Sequence, residues 1–92
     1  MKLTKDYQAE RIAGQQVLLP AGQAVIEGGM VYSLNDTAAW VIRALDEDIS
    51  FEELLRRAAR HFQADTEAEK ETLRADLDGF CRELREKGLL DG

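Results

Sequence analysis

Residues 34–55, LNDTAAWVIRALDEDISFEELL, decide the fold because they contain one helix, its end and the start of the next. Asn35 is a favourable N-cap residue, and apolar residues follow it at helical three- and four-residue steps. Those apolar residues are Ala38, Val41, Ile42 and Leu45. The acidic run at 46–48 ends this helix, and a capping box at 50–53, SFEE, begins the second one.

Helical periodicity continues downstream of this stretch. The second helix has an apolar stripe of Phe51, Leu54, Leu55, Ala58 and Phe62. A third helix is predicted from about Asp65-Thr66, where Thr66 and Glu69 form another capping box. Its apolar stripe is Leu73, Leu77, Phe80, Cys81 and Leu84. Gly88 suits the position just after this helix, and Leu89-Leu90 is a short apolar tail that can pack back.

Upstream of residue 34 the sequence has the features of strands and turns. Short runs rich in β-branched and aromatic residues predict strands at Tyr7–Ala13, Gln16–Leu19, Ala24–Glu27 and Met30–Leu34. Gly14-Gln15 is predicted to turn the first run into the second, and the segment 20–22, PAG, breaks the second run. Gly28-Gly29 lies where a two-residue hairpin turn is expected.

The predicted fold class is therefore α+β, in one domain of 92 residues. Three or four short antiparallel strands in residues 1–34 precede three helices in residues 35–92, an arrangement like a winged helix-turn-helix. The net charge is −6, and all of this excess lies in residues 35–92. Because nucleic-acid binding needs a basic face, this charge distribution argues against a nucleic-acid partner.

The sequence gives no support for catalysis, a metal or a cofactor. His61 is the only histidine and Cys81 the only cysteine, and neither belongs to a metal-ligand spacing. Cys81 lies on an apolar stripe, where a cysteine behaves as a small hydrophobic residue. We therefore expect a protein that is not an enzyme, without catalytic residues. A single cysteine, no long apolar run and no signal-peptide pattern predict a cytoplasmic protein.

The remaining functional feature is a free sheet edge. A sheet of so few short strands cannot close into a barrel, so it has edge strands with unpaired N–H and C=O groups. Met30–Leu34, which leads into the first predicted helix, is a plausible edge. An extended peptide can pair with such an edge and place alternate side chains in a neighbouring groove. On this evidence alone, simple core packing of the same residues is favoured, because many sheets have edges that bind nothing.

Four segments of the chain resemble the PqqD family, whose small proteins are also called RiPP recognition elements. The segment 34–39, LNDTAA, resembles the LNxT(A/G) start of that family's first helix. Residues 11–20, RIAGQQVLLP, are similar to a strand pair in many members. The segment 49–54, ISFEEL, and the end of the third helix, around Phe80 and 84–90, also resemble the family and occur in the same order along the chain as in its members. The chain departs from the pattern by placing Trp40 before Val41-Ile42, where many members have Ile-Trp.

The resemblance implies a peptide chaperone. Family members bind the leader region of a ribosomally synthesised precursor peptide and present it to a modifying enzyme, which is a radical SAM protein in pyrroloquinoline quinone biosynthesis. The family's peptide site lies between the third strand and the third helix. Transferred by position, the strand side is Met30, Val31, Tyr32, Ser33 and Leu34. The helix side is Arg74, Leu77, Asp78, Cys81 and Arg85.

Two other functions stay open at this point. One is a winged-helix DNA-binding or regulatory domain, although the third predicted helix is rich in acidic residues. The other is a structural domain that forms a homodimer through its free strand edge. No membrane partner is expected.

Overall fold

The computed structural model describes residues 1–91, which form short strands followed by helices. The helices are α1 (Gln23–Ile26), α2 (Asp36–Ala44), α3 (Phe51–His61) and α4 (Glu67–Glu86). The strands are β1 (Lys2–Leu3), β2 (Tyr7–Ile12), β3 (Gln15–Pro20), β4 (Tyr32–Ser33) and β5 (Leu90–Asp91). This arrangement confirms the predicted α+β class. Within residues 1–91, no helix has both the length and the apolar character needed to cross a membrane.

The three long helices begin where the sequence predicts, because each start is fixed by a local side chain. The Asn35 side chain accepts a hydrogen bond from the Ala38 N–H at 2.8 Å. Ser50 caps α3 in the same way, and Thr66 forms a full capping box with Glu69 at the start of α4. Such caps are each worth about 1 kcal/mol. The box predicted at Ser50 is only half formed, since the Glu53 carboxylate pairs with Arg56 and Arg57 instead.

A three-stranded antiparallel sheet carries β3 in its centre, in the order β2-β3-β4. The β2–β3 hairpin turns at Ala13 and Gly14, whose φ angles of 51° and 79° suit a two-residue hairpin. The observed turn is thus one residue earlier than the predicted Gly14-Gln15 turn. In the β3–β4 pair, Val17 lies opposite Ser33 and Leu18 lies opposite Tyr32.

The strand predicted at Ala24–Glu27 and the hairpin turn at Gly28-Gly29 are wrong. Residues 23–26 form α1, and the chain then folds back on it, since the Gly29 N–H donates to the Ala24 carbonyl at 2.7 Å. A Cβ on Gly29 would lie 2.7 Å from the Tyr7 hydroxyl oxygen, so only glycine permits this close return. The apolar run at 24–26, AVI, is too short for its periodicity to separate a strand from one helical turn.

A second sheet joins the two ends of the described chain. β1 pairs with β5, with Lys2 opposite Asp91 and Leu3 opposite Leu90. The Leu3 N–H also donates to the Leu45 carbonyl at 2.8 Å, and the Thr4 N–H donates to the Leu89 carbonyl at 2.9 Å. The apolar tail after α4 therefore packs back as predicted, but it does so as a strand that the sequence pattern does not indicate.

One core lies between the strands and the three long helices. Its most deeply buried side chains come from β3, from all three helices and from the segment after α4: Leu18, Val41, Ile42, Leu45, Leu54, Cys81 and Leu89. Burial of a Leu or Ile side chain contributes roughly 1.5–3 kcal/mol. Because α4 crosses this core beside β4, the strand and the helix face each other across a surface groove.

Candidate functional site

β4 is the edge strand of the three-stranded sheet, since among residues 1–91 it pairs with β3 only. The Leu34 N–H donates to the Gln16 carbonyl at 2.9 Å, just beyond the last residue of β4. Hydrogen-bonded positions alternate along an antiparallel strand, so Tyr32 and Leu34 face β3 with their backbone groups. The N–H and C=O of Ser33 consequently point away from the sheet, towards any strand that is added beside β4.

A groove with a volume of about 170 Å³ lies between this edge and α4. Its strand side is Tyr32, Ser33 and Leu34. Its base and helix side combine apolar residues with one pair of charged residues: Leu18, Phe80, Glu83, Leu84, Lys87 and Leu89. The groove is therefore apolar inside, and Lys87 and Glu83, 3.8 Å apart, form its charged rim.

The helix side follows from the periodicity of α4. Leu77, Cys81 and Leu84 form the buried seam that attaches α4 to the core. Phe80 is half-buried beside that seam, and Glu83 and Lys87 follow it at three- and seven-residue steps on the same face. The seam holds the helix in place, and the neighbouring face is left to line the groove.

The structure places the five predicted strand residues along one continuous segment. Tyr32 and Leu34 are half-buried against the core, and the Tyr32 ring lies 6.2 Å from the ring of Tyr7. Ser33 is exposed on the opposite face of β4. Met30 and Val31 lie before the strand, and both side chains are largely exposed. Three of these five residues therefore line the groove, and two extend from its end.

The five predicted helix residues lie outside the groove lining. Leu77 and Cys81 belong to the core, with 3% and 1% of their surface exposed. Arg74 binds Glu52 of α3 at 2.9 and 3.1 Å, and these hydrogen bonds hold the pKa of the Glu52 carboxyl below its usual value. Asp78 accepts a hydrogen bond from Arg82 at 2.6 Å, and Arg85 donates one to the Met1 sulfur at 3.7 Å.

The orientation of α4 about its own axis explains why the predicted helix residues differ from those that line the groove. The positions chosen from the sequence cover the buried seam and the side that faces α3 and the N-terminal residues. The groove lies on the other side of the seam, where Phe80, Glu83 and Lys87 are found. Phe80 is the one signal in the sequence that points there, because it is the large apolar residue at the margin of the α4 stripe.

Burial gives Cys81 a testable chemical property. Desolvation raises the pKa of the Cys81 thiol above its ordinary value, so less of it is thiolate at any given pH. The thiolate is the reactive form. We expect iodoacetamide at neutral pH to leave Cys81 unmodified in the folded protein and to modify it fully in guanidinium, as mass spectrometry would measure. Rapid modification of the folded protein would contradict the placement of Cys81 in the core.

The opposite edge of the same sheet has a different character. β2 is bordered by a hollow of about 410 Å³ against α2, whose lining includes Glu10, Arg43 and Asp46. Because this hollow carries three charged residues, it offers less apolar surface to a peptide side chain than the groove beside β4. The β4 edge is therefore the better candidate for a peptide.

Trp40, where the sequence departs from the family pattern, lies away from both edges in an aromatic cluster. Its ring is half-buried and stacks on His61, with ring centres 4.8 Å apart. Phe62 packs edge-on against Trp40 at 5.2 Å and against His61 at 4.7 Å. The displaced tryptophan thus joins the middle of α2 to the end of α3.

Comparisons with known proteins agree with this geometry. A solved structure of TbiB1 in complex with the TbiA(beta) leader peptide has 25% sequence identity to this chain and a TM-score of 0.74. The alignment covers 100% of this chain and 96% of that chain. No match was found among curated proteins. The family model of coenzyme PQQ synthesis protein D (PqqD) matches residues 15–90. Since this match covers most of the chain, the protein belongs to the PqqD family.

Proposed function

We propose that this protein is a peptide chaperone, which binds the leader region of a ribosomally synthesised precursor peptide and presents it to a modifying enzyme. The observation that carries the proposal is an apolar groove beside an unpaired strand edge, in a fold that matches a leader-peptide complex over its whole length. This combination supports a binding module rather than an enzyme. The encounter is proposed to take place in the cytoplasm, where ribosomal precursors are made.

In this proposal the leader adds to the sheet as a strand beside β4. One leader residue lies opposite Ser33 and exchanges two backbone hydrogen bonds with it. The residues on either side of that one direct their side chains to the face of Tyr32 and Leu34, into the groove. The groove therefore selects leaders with apolar side chains two residues apart.

The charged rim adds a second level of selection. Lys87 and Glu83 are exposed and paired with each other, so a charged leader residue has to compete with an existing ion pair. Exposed pairs of this kind contribute less than about 1 kcal/mol. We therefore assign most of the affinity to the backbone bonds and the apolar groove, and only modest charge preference to the rim.

A titration of isotope-labelled protein with synthetic leaders tests the proposal. The leaders are those of short peptides encoded beside this protein's gene, and a scrambled leader serves as the control. Saturable shifts of the amide signals at residues 32–34 and along the groove side of α4 are expected. If every neighbouring leader leaves these signals unchanged, the proposed function is wrong.

Methylation of single leader backbone nitrogens tests strand addition itself. We expect N-methylation of the residue opposite Ser33 to weaken binding about tenfold, because it removes one backbone hydrogen bond and places a methyl group against β4. N-methylation of either adjacent residue, whose N–H points away from β4, is expected to have little effect. A series of singly methylated leaders, measured by calorimetry, would reveal this alternation. Equal losses at all positions would contradict a strand geometry.

A further inference from the structure

Four large apolar side chains are exposed within residues 25–31, just before the edge strand. Val25 and Ile26 of α1 are 58% and 79% exposed, and Met30 and Val31 are 67% and 57% exposed. We call these four residues the exit patch. Glu27 is the only charged residue between Gln23 and Leu34, so the patch lies in a nearly uncharged part of an otherwise highly charged chain. Large apolar residues exposed within one short segment of this kind indicate a binding surface.

The exit patch is held in a defined position. The Gly29 N–H donates to the Ala24 carbonyl at 2.7 Å, and the Gly28 N–H donates to the Val25 carbonyl at 3.2 Å. Ala24 is buried, which attaches α1 to the rest of the fold. Gly29 lies directly against Tyr7 and Pro20. Since the backbone is fixed on both sides of the turn, the apolar side chains are presented on a structured support.

The direction of strand addition determines which part of a leader reaches this patch. Every strand pair described in residues 1–91 is antiparallel, and antiparallel pairs are the commoner type in proteins. A leader antiparallel to β4 has its N-terminal side near Leu34 and its C-terminal side near Tyr32. Beyond Tyr32 the leader passes Val31 and Met30 and reaches the exit patch.

We propose that the exit patch binds an apolar segment of the leader that follows its strand-forming residues. This inference rests on the proposed function and adds a second contact to it. The patch is continuous with the β4 edge through Val31, so one peptide covers both without a break. A second copy of the chain is a poorer occupant, because each copy has a net charge of −6.

A double-mutant cycle tests this proposal. The protein variant is Ile26→Ser with Met30→Ser, and Ile12→Ser is the matched control. Ile12 is also an exposed isoleucine, 52% exposed, but it lies at the hairpin tip on β2. Each protein is titrated with the full leader identified above and with leaders shortened from either end outside the strand-forming residues. Circular dichroism verifies the fold of each variant.

The patch variant is expected to bind the full leader about tenfold more weakly than the wild type does. It is expected to bind the C-terminally shortened leader as well as the wild type does, because that leader no longer reaches the patch. The control is expected to match the wild type for all leaders.

Three results would overturn the inference while leaving the proposed function intact. In the first result, the patch variant binds the full leader as tightly as the wild type does. In the second, the difference in affinity between the patch variant and the wild type disappears only with the N-terminally shortened leader, which indicates that the leader adds to β4 in the opposite direction. In the third result, the wild type self-associates in light scattering and the patch variant does not, so a second copy covers the patch. If the proposed function itself is wrong, the wild type binds no leader, and this result differs from all three of the results above.

Discussion

Replacing Ser33 with proline is expected to weaken leader binding by about 30-fold or more. Proline has no backbone N–H, so the leader carbonyl opposite this position loses its donor while it is buried beside β4. Together, a lost hydrogen bond and a buried unpaired carbonyl cost about 2 kcal/mol or more, which corresponds to roughly 30-fold in affinity. The Ser33 N–H does not bond to β3, so proline is compatible with this edge position. Isothermal titration calorimetry would measure the change.

Two control variants separate this effect from damage to the sheet. Ser33→Ala keeps the N–H and is expected to bind within about twofold of the wild type, because the side chain lies on the outer face. Arg11→Pro makes the same type of change on β2, at the other edge of the sheet. Arg11 lies opposite Gln16, whose carbonyl bonds to Leu34, so the Arg11 N–H also points outward. If Arg11→Pro weakened binding and Ser33→Pro did not, the leader would occupy the β2 edge.

Replacing Leu77 with alanine is expected to destabilise the fold by about 2–5 kcal/mol. Leu77 is 3% exposed in the seam of α4, and its truncation leaves a cavity among the tightly packed side chains of the core. Urea unfolding followed by circular dichroism would measure the change in the free energy of unfolding. A loss of less than about 1 kcal/mol would contradict the placement of Leu77 in the core.

Phe80→Ala is the matched comparison on the same helix. Phe80 is half-buried and lines the groove, so we expect a smaller loss of stability than for Leu77→Ala. Leader affinity is expected to fall about tenfold, because the groove loses its largest apolar surface. When leader affinity is measured well below the unfolding transition, the comparison of these two variants separates a residue that holds the helix in place from one that contacts the ligand. Normal affinity of Phe80→Ala would exclude the groove side of α4 as the peptide contact.

The parts of the fold that the sequence predicts correctly depend on local chemistry. Asn35, Ser50 and Thr66 each satisfy backbone N–H groups within three residues, so the starts of the three long helices can be inferred without the rest of the chain. The apolar spacing after each cap then defines the buried face. Ala24–Glu27 has neither feature, and the return of Gly29 against Tyr7 decides its conformation.

The candidate site is predictable on the strand side and less so on the helix side. An edge strand before α2 follows from the order of the elements, and Tyr32, Ser33 and Leu34 of that predicted strand line the groove. Spacing along α4 defines which residues share a face, but it does not define how that face is turned towards β4. Leu77 and Phe80 both belong to the apolar stripe, and only tertiary packing separates the core residue from the groove residue.

The pairing of β1 with β5 has a consequence for the order of folding. It joins opposite ends of the described chain, so it closes the longest loop among residues 1–91 and costs more entropy to close than a shorter loop does. Local elements such as the α3–α4 pair close only short loops, so we expect them to form earlier. Leu89, whose carbonyl accepts from Thr4 next to this strand pair, also lines the peptide groove. We therefore expect the groove beside β4 to be completed late in folding, when the two ends of the described chain come together.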